Sequence, residues 1–380
     1  MDSKSIRIFN IKYSDKEKEK ITTYFNEVLD IAFLTNHTFC RKLEKAFDDL
    51  CTSHNSLCCS SGTSGLEAVF RYLKVKNKAV LVQSNTFIAT GHAIQAAGGV
   101  ILPIDIDNEF VISYEDIKEA IILCKEKSIP IGAVCIVNIA GRASKDLLKI
   151  QELCLEEKIP IVEDNAQGML STLNERQLGT FSDFSVSSFQ TTKVVACGEG
   201  GLIQIKDKED FENIKNFIFY GRSKENNLLF DEESGNYKLS ELNAALAFAD
   251  FERSEERIKR RNHIDRLYES LVDSKFLYHL KSPEGNFTTN YKTIFMAKES
   301  ELRKKIEDHF LQNRIAMTGY VYKIPLSKQP RIIYSKNFIE RDLPNTNHFC
   351  NSHFTPPNYP ELSDQDIKYI SDVLNNFNPE

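Results

Sequence analysis

A chain of 380 residues with a formal net charge of −6 is long enough to bury a large core and to divide into one large and one smaller domain. Its lysines and glutamates are interspersed without the basic stripe that nucleic acid requires, and no apolar run approaches the roughly 18 residues of a membrane helix. The opening stretch, MDSKSIRIFNIKYSDKEKEK, has no apolar signal core, so the expectation is a cytoplasmic protein that binds neither nucleic acid nor membrane.

Ser14 and Glu17 have the spacing of a capping box and open a helix that runs to about residue 30. Residues 34–38 are a polar break before a second helix over 39–50. From 57 to 205, short apolar runs alternate with helical patterns. Strands are expected at 57–60, 79–82, 100–104, 133–139, 159–163, 183–188 and 201–205. Helices are expected at 66–73, 89–97, 115–127 and 145–158, the last capped by Ser144. This alternation predicts an α/β fold: a mostly parallel seven-stranded sheet with helices on both faces. The run 201–205 follows its predecessor without a crossover helix and is expected to be antiparallel. Residues 240–271 read as one helix of roughly thirty residues, about 45 Å long. It would bridge a large domain over 1–250 to a small α+β domain over 251–380, and its basic run, 257–261, reads as a solvated face. Further helices are expected near 301–312 and 364–377. The nine cysteines include no C-x-x-C pair, and the adjacent Cys58 and Cys59 should fill the core on opposite faces of a strand.

Three stretches carry chemistry. Ser60-Ser61-Gly62-Thr63-Ser64-Gly65 stands between a strand and a helix, which puts unpaired amides and hydroxyls at a helix N-terminus, a natural phosphate seat. IPIVEDNAQG, 159–168, is an apolar strand ending in Glu163, Asp164 and Asn165 with Gln167 beyond, at the edge where open α/β sheets hold ligands. Lys193 lies on a loop between two strands, followed by Gly198, Gly200 and Gly201, whose backbone can come close to a ligand. Each signal alone is ordinary, because small residues cap helices and strand-end aspartates form turns. Together they supply a phosphate cradle, an acid and an amine. That set can hold pyridoxal phosphate, with the amine for a Schiff base and the carboxylate for the pyridine nitrogen.

Gly62-Thr63, Asn85-Thr86-Phe87, Glu163-Asp164-Asn165-Ala166-Gln167, Ser188-Phe189 followed by Lys193, and Gly198-Glu199-Gly200-Gly201 form an ordered series. In order and spacing it resembles the motif series of the DegT/DnrJ/EryC1/StrS aminotransferases, from about residue 35 to 261 and more weakly over 343–360. The resemblance implies the aspartate-aminotransferase fold (fold type I), pyridoxal 5'-phosphate as cofactor and a homodimer with shared active sites. It implies that Lys193 holds the cofactor and moves protons, that Asp164 pairs with the pyridine nitrogen and that Phe87 stacks on the ring. Gln167 would bond the ring hydroxyl oxygen, and Gly62, Thr63 and Ser188 would bind the phosphate. Asn236 looks like the asparagine that reaches the neighbouring subunit's phosphate, although Lys238 replaces the arginine usual nearby. Asn36 would lie near the substrate mouth, and Asn138 stands where the family commonly has histidine, a neutral amide for a titrating group. Tyr320, Tyr322 and Arg331 are candidates for the substrate pocket, and no metal is expected.

Relatives that dehydrate sugars carry histidine at the position of Lys193, so this lysine favours amino transfer. The implied activity moves an amino group from glutamate to the keto group of a nucleotide-linked (deoxy)sugar, for cell-surface polysaccharide or related glycan biosynthesis. One alternative is an aminotransferase for a smaller phosphorylated ketone or a cyclitol. Another is a non-catalytic regulator on the same fold, which the presence of both Lys193 and Asp164 opposes.

Overall fold

The computed structural model describes residues 5–226, 228–317 and 322–379. Seven strands build the main sheet: β1 (Asn55–Cys59), β2 (Ala79–Gln83), β3 (Val100–Ile104), β4 (Ile131–Val137), β5 (Ile161–Asp164), β6 (Phe184–Ser188) and β7 (Gly201–Ile205). Their spatial order is β1-β7-β6-β5-β4-β2-β3. All run parallel except β7, which is antiparallel to both β1 and β6. The expected seven strands and the expected odd strand are all present.

Burial explains the composition of the strands. On β2, Val80 and Val82 join one apolar core while Ala79 and Leu81 join the other, and on β4, Ala133 and Cys135 oppose Val134 and Ile136. A strand covered on both faces alternates between two cores instead of between core and water. The covering helices are α1 (Asp15–Ile31), α2 (Thr38–Leu50), α3 (Gly62–Tyr72), α4 (Ile88–Ala96), α5 (Tyr114–Glu126), α6 (Leu147–Glu156) and α7 (Lys208–Phe217). The capping box of Ser14 with Glu17 forms at α1, and Ser61 with Ser64 makes a second at α3. Ser144 does not cap α6 as expected. Its hydroxyl accepts from the Asp146 amide at 3.3 Å, in a turn ahead of the helix. Cys58 and Cys59 fall in different cores, and all nine cysteines are buried free thiols.

Residues 240–271 are two helices, α8 (Glu241–Phe251) and α9 (Ser254–Leu271), and not the single rod expected. Arg253 leaves helical geometry at the corner, where its guanidinium bonds Asp250 at 2.6 Å and Glu17 of α1 at 2.7 Å. The other Asp250 oxygen accepts from the Ala196 amide at 2.8 Å, so the same carboxylate braces the Lys193 loop. Nor is the basic run of α9 a solvated face. Arg261 is buried and donates to the Asn358 carbonyl, Arg257 pairs with Glu361 at 2.9 Å, and Arg260 pairs with Asp364 at 2.6 Å. The run pins the chain's return over 358–364.

A separate core gathers Ile264 and Tyr268 of α9 with Phe310 of α10 (Ser300–Gln312) and Ile367, Ile370 and Leu374 of the last helix (Asp364–Asn375). Its small antiparallel sheet joins Leu277–His279, Phe295–Ala297 and His353–Phe354. Leu326, Ile332 and Phe349 return to the core of the main sheet. Among the described residues no helix is long and apolar enough to cross a membrane, and no cluster of His, Cys, Asp and Glu could hold a metal ion.

Candidate active site

At the carboxyl ends of the parallel strands lies a cavity of about 510 Å³. Its first wall is the start of α3. The Ser64 amide is taken by the Ser61 hydroxyl at 3.0 Å and the Gly65 amide by the Ser61 carbonyl at 3.0 Å. This leaves the amides of Gly62 and Thr63 at the positive end of the helix for an anion. The seat is close-fitted: a Cβ on Gly62 would stand 3.0 Å from Cβ of Ser188, the last residue of β6. A Cβ on Gly201 would meet the backbone of Ser61 and Gly62 at 2.7 and 2.8 Å.

The end of β5 supplies the acid. Successive residues on a strand point to opposite faces, so Glu163 and Asp164 have separate roles. Glu163 turns away from the cavity and accepts from Asn138 Nδ2, Ser182 Oγ and the amides of Gly179 and Phe181, all at 2.9–3.0 Å. Four such bonds make it a structural tie. Asp164 lines the cavity, buried, and accepts from Thr90 Oγ1 at 2.7 Å and from the Ala166 amide at 3.2 Å. Burial pushes its carboxyl above the usual aspartate range, against the pull of the Thr90 bond, the Ala166 amide and the Lys193 charge.

Lys193 stands in the turn between β6 and β7, where its amide bonds the Gln190 carbonyl at 2.8 Å. Val194, Val195 and Ala196 are buried behind it and hold the loop down. Its Nζ lies over the ring of Tyr291, 4.9 Å from the centroid, and the Tyr291 hydroxyl is 2.9 Å from Thr192 Oγ1. Phe87, the residue capping α4, remains 55% exposed, an aromatic face open to the cavity. Tyr322 packs beside it with centroids 5.7 Å apart. Gln167 accepts from the Ala140 amide at 2.8 Å and donates through Nε2 to the Tyr322 hydroxyl, so its amide orientation is fixed.

The cavity thus gathers Gly62, Thr63, Phe87, Asp164, Gln167, Ser188, Lys193 and Tyr322 from the expected set. Four others stand outside it. Asn138 is buried beneath, its amide spent on Glu163 and Asn165. Asn36 sits ahead of α2 in left-handed backbone, and Arg331 is exposed on the short helix Pro330–Ile333. Asn236 is exposed away from the cavity, and Tyr320 lies outside the described residues. Sequence reasoning missed Thr90, Tyr291 and Lys292. Thr90 had a signal, since a hydroxyl in the first turn after Phe87 faces the same strand ends; the other two come from a distant segment and had none.

A helix N-terminus closed around glycine, a buried acid, an amine and an open aromatic face match the chemistry of pyridoxal phosphate part by part. The sequence matches a model of the DegT/DnrJ/EryC1/StrS aminotransferase family over residues 15–375. It is 26% identical to GDP-perosamine synthase of Escherichia coli O157:H7 over 98% of this chain and 99% of that protein. It is 24% identical to UDP-4-amino-4,6-dideoxy-N-acetyl-beta-L-altrosamine transaminase of Campylobacter jejuni, with 83% of each covered. The fold superposes on a DegT DnrJ EryC1 StrS aminotransferase from Brucella abortus with a TM-score of 0.89 at 20% identity, over 98% of this chain and all of that one. With the match running through nearly the whole sequence and the cavity built from the motif residues, the chain belongs to the DegT/DnrJ/EryC1/StrS family and is a pyridoxal-phosphate-dependent aminotransferase.

Proposed function

We propose that the enzyme is a cytoplasmic homodimer that moves the amino group of glutamate to the keto carbon of a nucleotide-linked deoxysugar, for polysaccharide or related glycan biosynthesis. The observation that carries this reading is the convergence of Lys193, Asp164 and the start of α3 on one cavity. The two relatives above, both named for nucleotide-linked amino sugars, support the acceptor class.

When bound, the cofactor supplies an electron sink for the carbanion formed at the substrate carbon. Lys193 Nζ would hold the cofactor and, as general base and acid, would take and return the proton at the reacting carbon. The Asp164 carboxylate would pair with the pyridine nitrogen and favour its protonated form, which would offset the cost of burying that carboxylate. The amides of Gly62 and Thr63 and the Ser188 hydroxyl bind phosphate, Phe87 fixes the ring plane and Gln167 meets the ring hydroxyl. Tyr322, beside Phe87, faces the acceptor.

The dimer is supported by the surface near Asn236. Leu228, Leu229, Phe230 and Tyr220 are all exposed on the same excursion of chain, an apolar patch suited to a second copy. Asn236 would then reach the partner's cofactor phosphate. The separate core around Tyr268 and Phe295 supports a division near residue 250, with Tyr291 and Lys292 reaching back to the cavity.

An absorption spectrum tests the reading. The protein should take up pyridoxal phosphate and turn yellow, the visible band should fall on adding glutamate, and nucleoside diphosphates should compete with the acceptor. A protein that stays colourless with added cofactor would end the assignment. Competition by simple phosphorylated ketones, with none by nucleotides, would move the acceptor to that class.

A further inference from the structure

Lys292 is a second amine in the cavity. It lines the wall next to Tyr291, and its Nζ lies 5.0 Å from the centroid of the same ring that Lys193 Nζ approaches at 4.9 Å. One aromatic ring therefore has two ammonium groups on it, no more than about 10 Å apart. The charged and titratable groups that face Lys292 are Tyr291, Arg261 and Lys193, with no carboxylate among them. Burial holds its amine below the usual lysine range; Tyr291 acts against this, while Arg261 and Lys193 add to it. The phenol of Tyr291 records the same excess of positive charge. Burial alone would raise it, but Lys193, Lys292, the Thr192 bond and Arg261 bring it down to about 8.

Lys193, Lys292 and Arg261 gather about one phenol, and among the described residues no carboxylate pairs with Lys292. The open side of Lys292 is the cavity, so the anion must come with a ligand. Aminotransfer brings one to this spot. The donor's reacting carbon has to stand roughly 3 Å from Lys193 Nζ for proton transfer. Its carboxylate lies one bond further on, and a charge-assisted pair with an ammonium spans about 2.8 Å. The ceiling of about 10 Å on the separation of the two amines admits that chain of distances.

We propose that Lys292 receives the α-carboxylate of the amino donor, an assignment that rests on the aminotransferase reading above. Arg261, buried and bonded to the Asn358 carbonyl, stays behind as a fixed positive background that strengthens the seat. The phosphate of the cofactor would be held by the start of α3, a separate element of the cavity wall, so the two anion seats would serve different groups.

The test uses protein loaded with pyridoxal phosphate, titrated calorimetrically with 2-oxoglutarate and separately with GDP and UDP. K292M should weaken 2-oxoglutarate by about tenfold or more, the loss of one charge-assisted bond, while K292R keeps most of the affinity. Nucleoside diphosphate binding should not change. Without ligand, K292M should melt higher than the parent, because an uncompensated, half-buried charge has been removed. Unchanged 2-oxoglutarate affinity in K292M, or a loss that falls on the nucleotides, would overturn the assignment. Failure of the parent to take up the cofactor, visible before any titration, would instead condemn the aminotransferase reading itself.

Discussion

Asp164 and Tyr291 are charged or near-charged groups held out of water, and each makes a measurable commitment. Asp164 is buried with its carboxyl pushed up, and a protonated pyridine nitrogen is the partner that would bring it back to the charged form. D164N keeps the shape and removes the charge. Cofactor affinity by spectrophotometric titration should fall about 10- to 100-fold, the worth of a charged hydrogen bond. Tyr291 should ionise near pH 8 in the free protein, seen as tyrosinate absorbance that vanishes in Y291F. K292M takes away one of the cations that lower it, so this step should move upward in pH. That Lys193 and Asp164 share one cavity was legible in the sequence because, each ordinary alone, they stand in one ordered series with a small-residue turn and glycines. Tyr291 and Lys292 were not, because TTNYKTIF reads as the edge of an ordinary strand and only folding brings it against Lys193. Asn138 was legible as a strand-end residue, but its amide is consumed holding Glu163, a bond that depends on which way the strand's side chains alternate.

At the level of elements, the proposed phosphate seat depends on how closely β7 passes α3. Gly201 opens β7 with its missing Cβ against the backbone of Ser61 and Gly62. Backbone cannot rotate aside as a side chain can. G201A should therefore destabilise the fold by about 1–3 kcal/mol, the usual cost of overpacking, and weaken cofactor binding by displacing the start of α3. Urea denaturation and cofactor titration of the same variant would check both; a variant as stable as the parent would show that the strand and helix have room to separate. The strands were legible to within a residue or two because both-face burial makes them short and apolar. The corner between α8 and α9 was hidden, since no proline or glycine marks it and the helical pattern continues across it. What bends the chain there is Arg253 bonding Asp250 and Glu17, an interaction between segments far apart in sequence.

For the molecule as a whole, a buried histidine and a half-buried glutamate, far apart in the chain, respond oppositely to acid. His353 donates Nδ1–H to the Phe349 carbonyl and is held neutral by burial, its pKa lowered to about 4. Between an unfolded value near 6.5 and that folded value the unfolded chain binds the extra proton, so stability falls as pH drops. Glu44 accepts from the Cys58 amide at 2.9 Å and burial raises its carboxyl to about 7. There the folded chain binds the extra proton, so stability rises as pH drops from about 7 toward the unfolded value. The two slopes offset in the parent. E44Q leaves His353 unopposed, and its urea-denaturation stability should drop from pH 7 to pH 5 by about 2 kcal/mol more than the parent's does. Equal slopes in the two proteins would refute the compensation. The order of the main sheet also bears on how the enzyme is made. The ribosome finishes β1 at Cys59, yet its sheet neighbour β7 begins only at Gly201. At about 5–20 residues per second the nascent chain carries an open, apolar strand edge for roughly seven to thirty seconds. Lys193 emerges immediately ahead of the strand that closes that edge, so a chain able to capture its cofactor is one whose synthesis has passed the point of greatest exposure to aggregation.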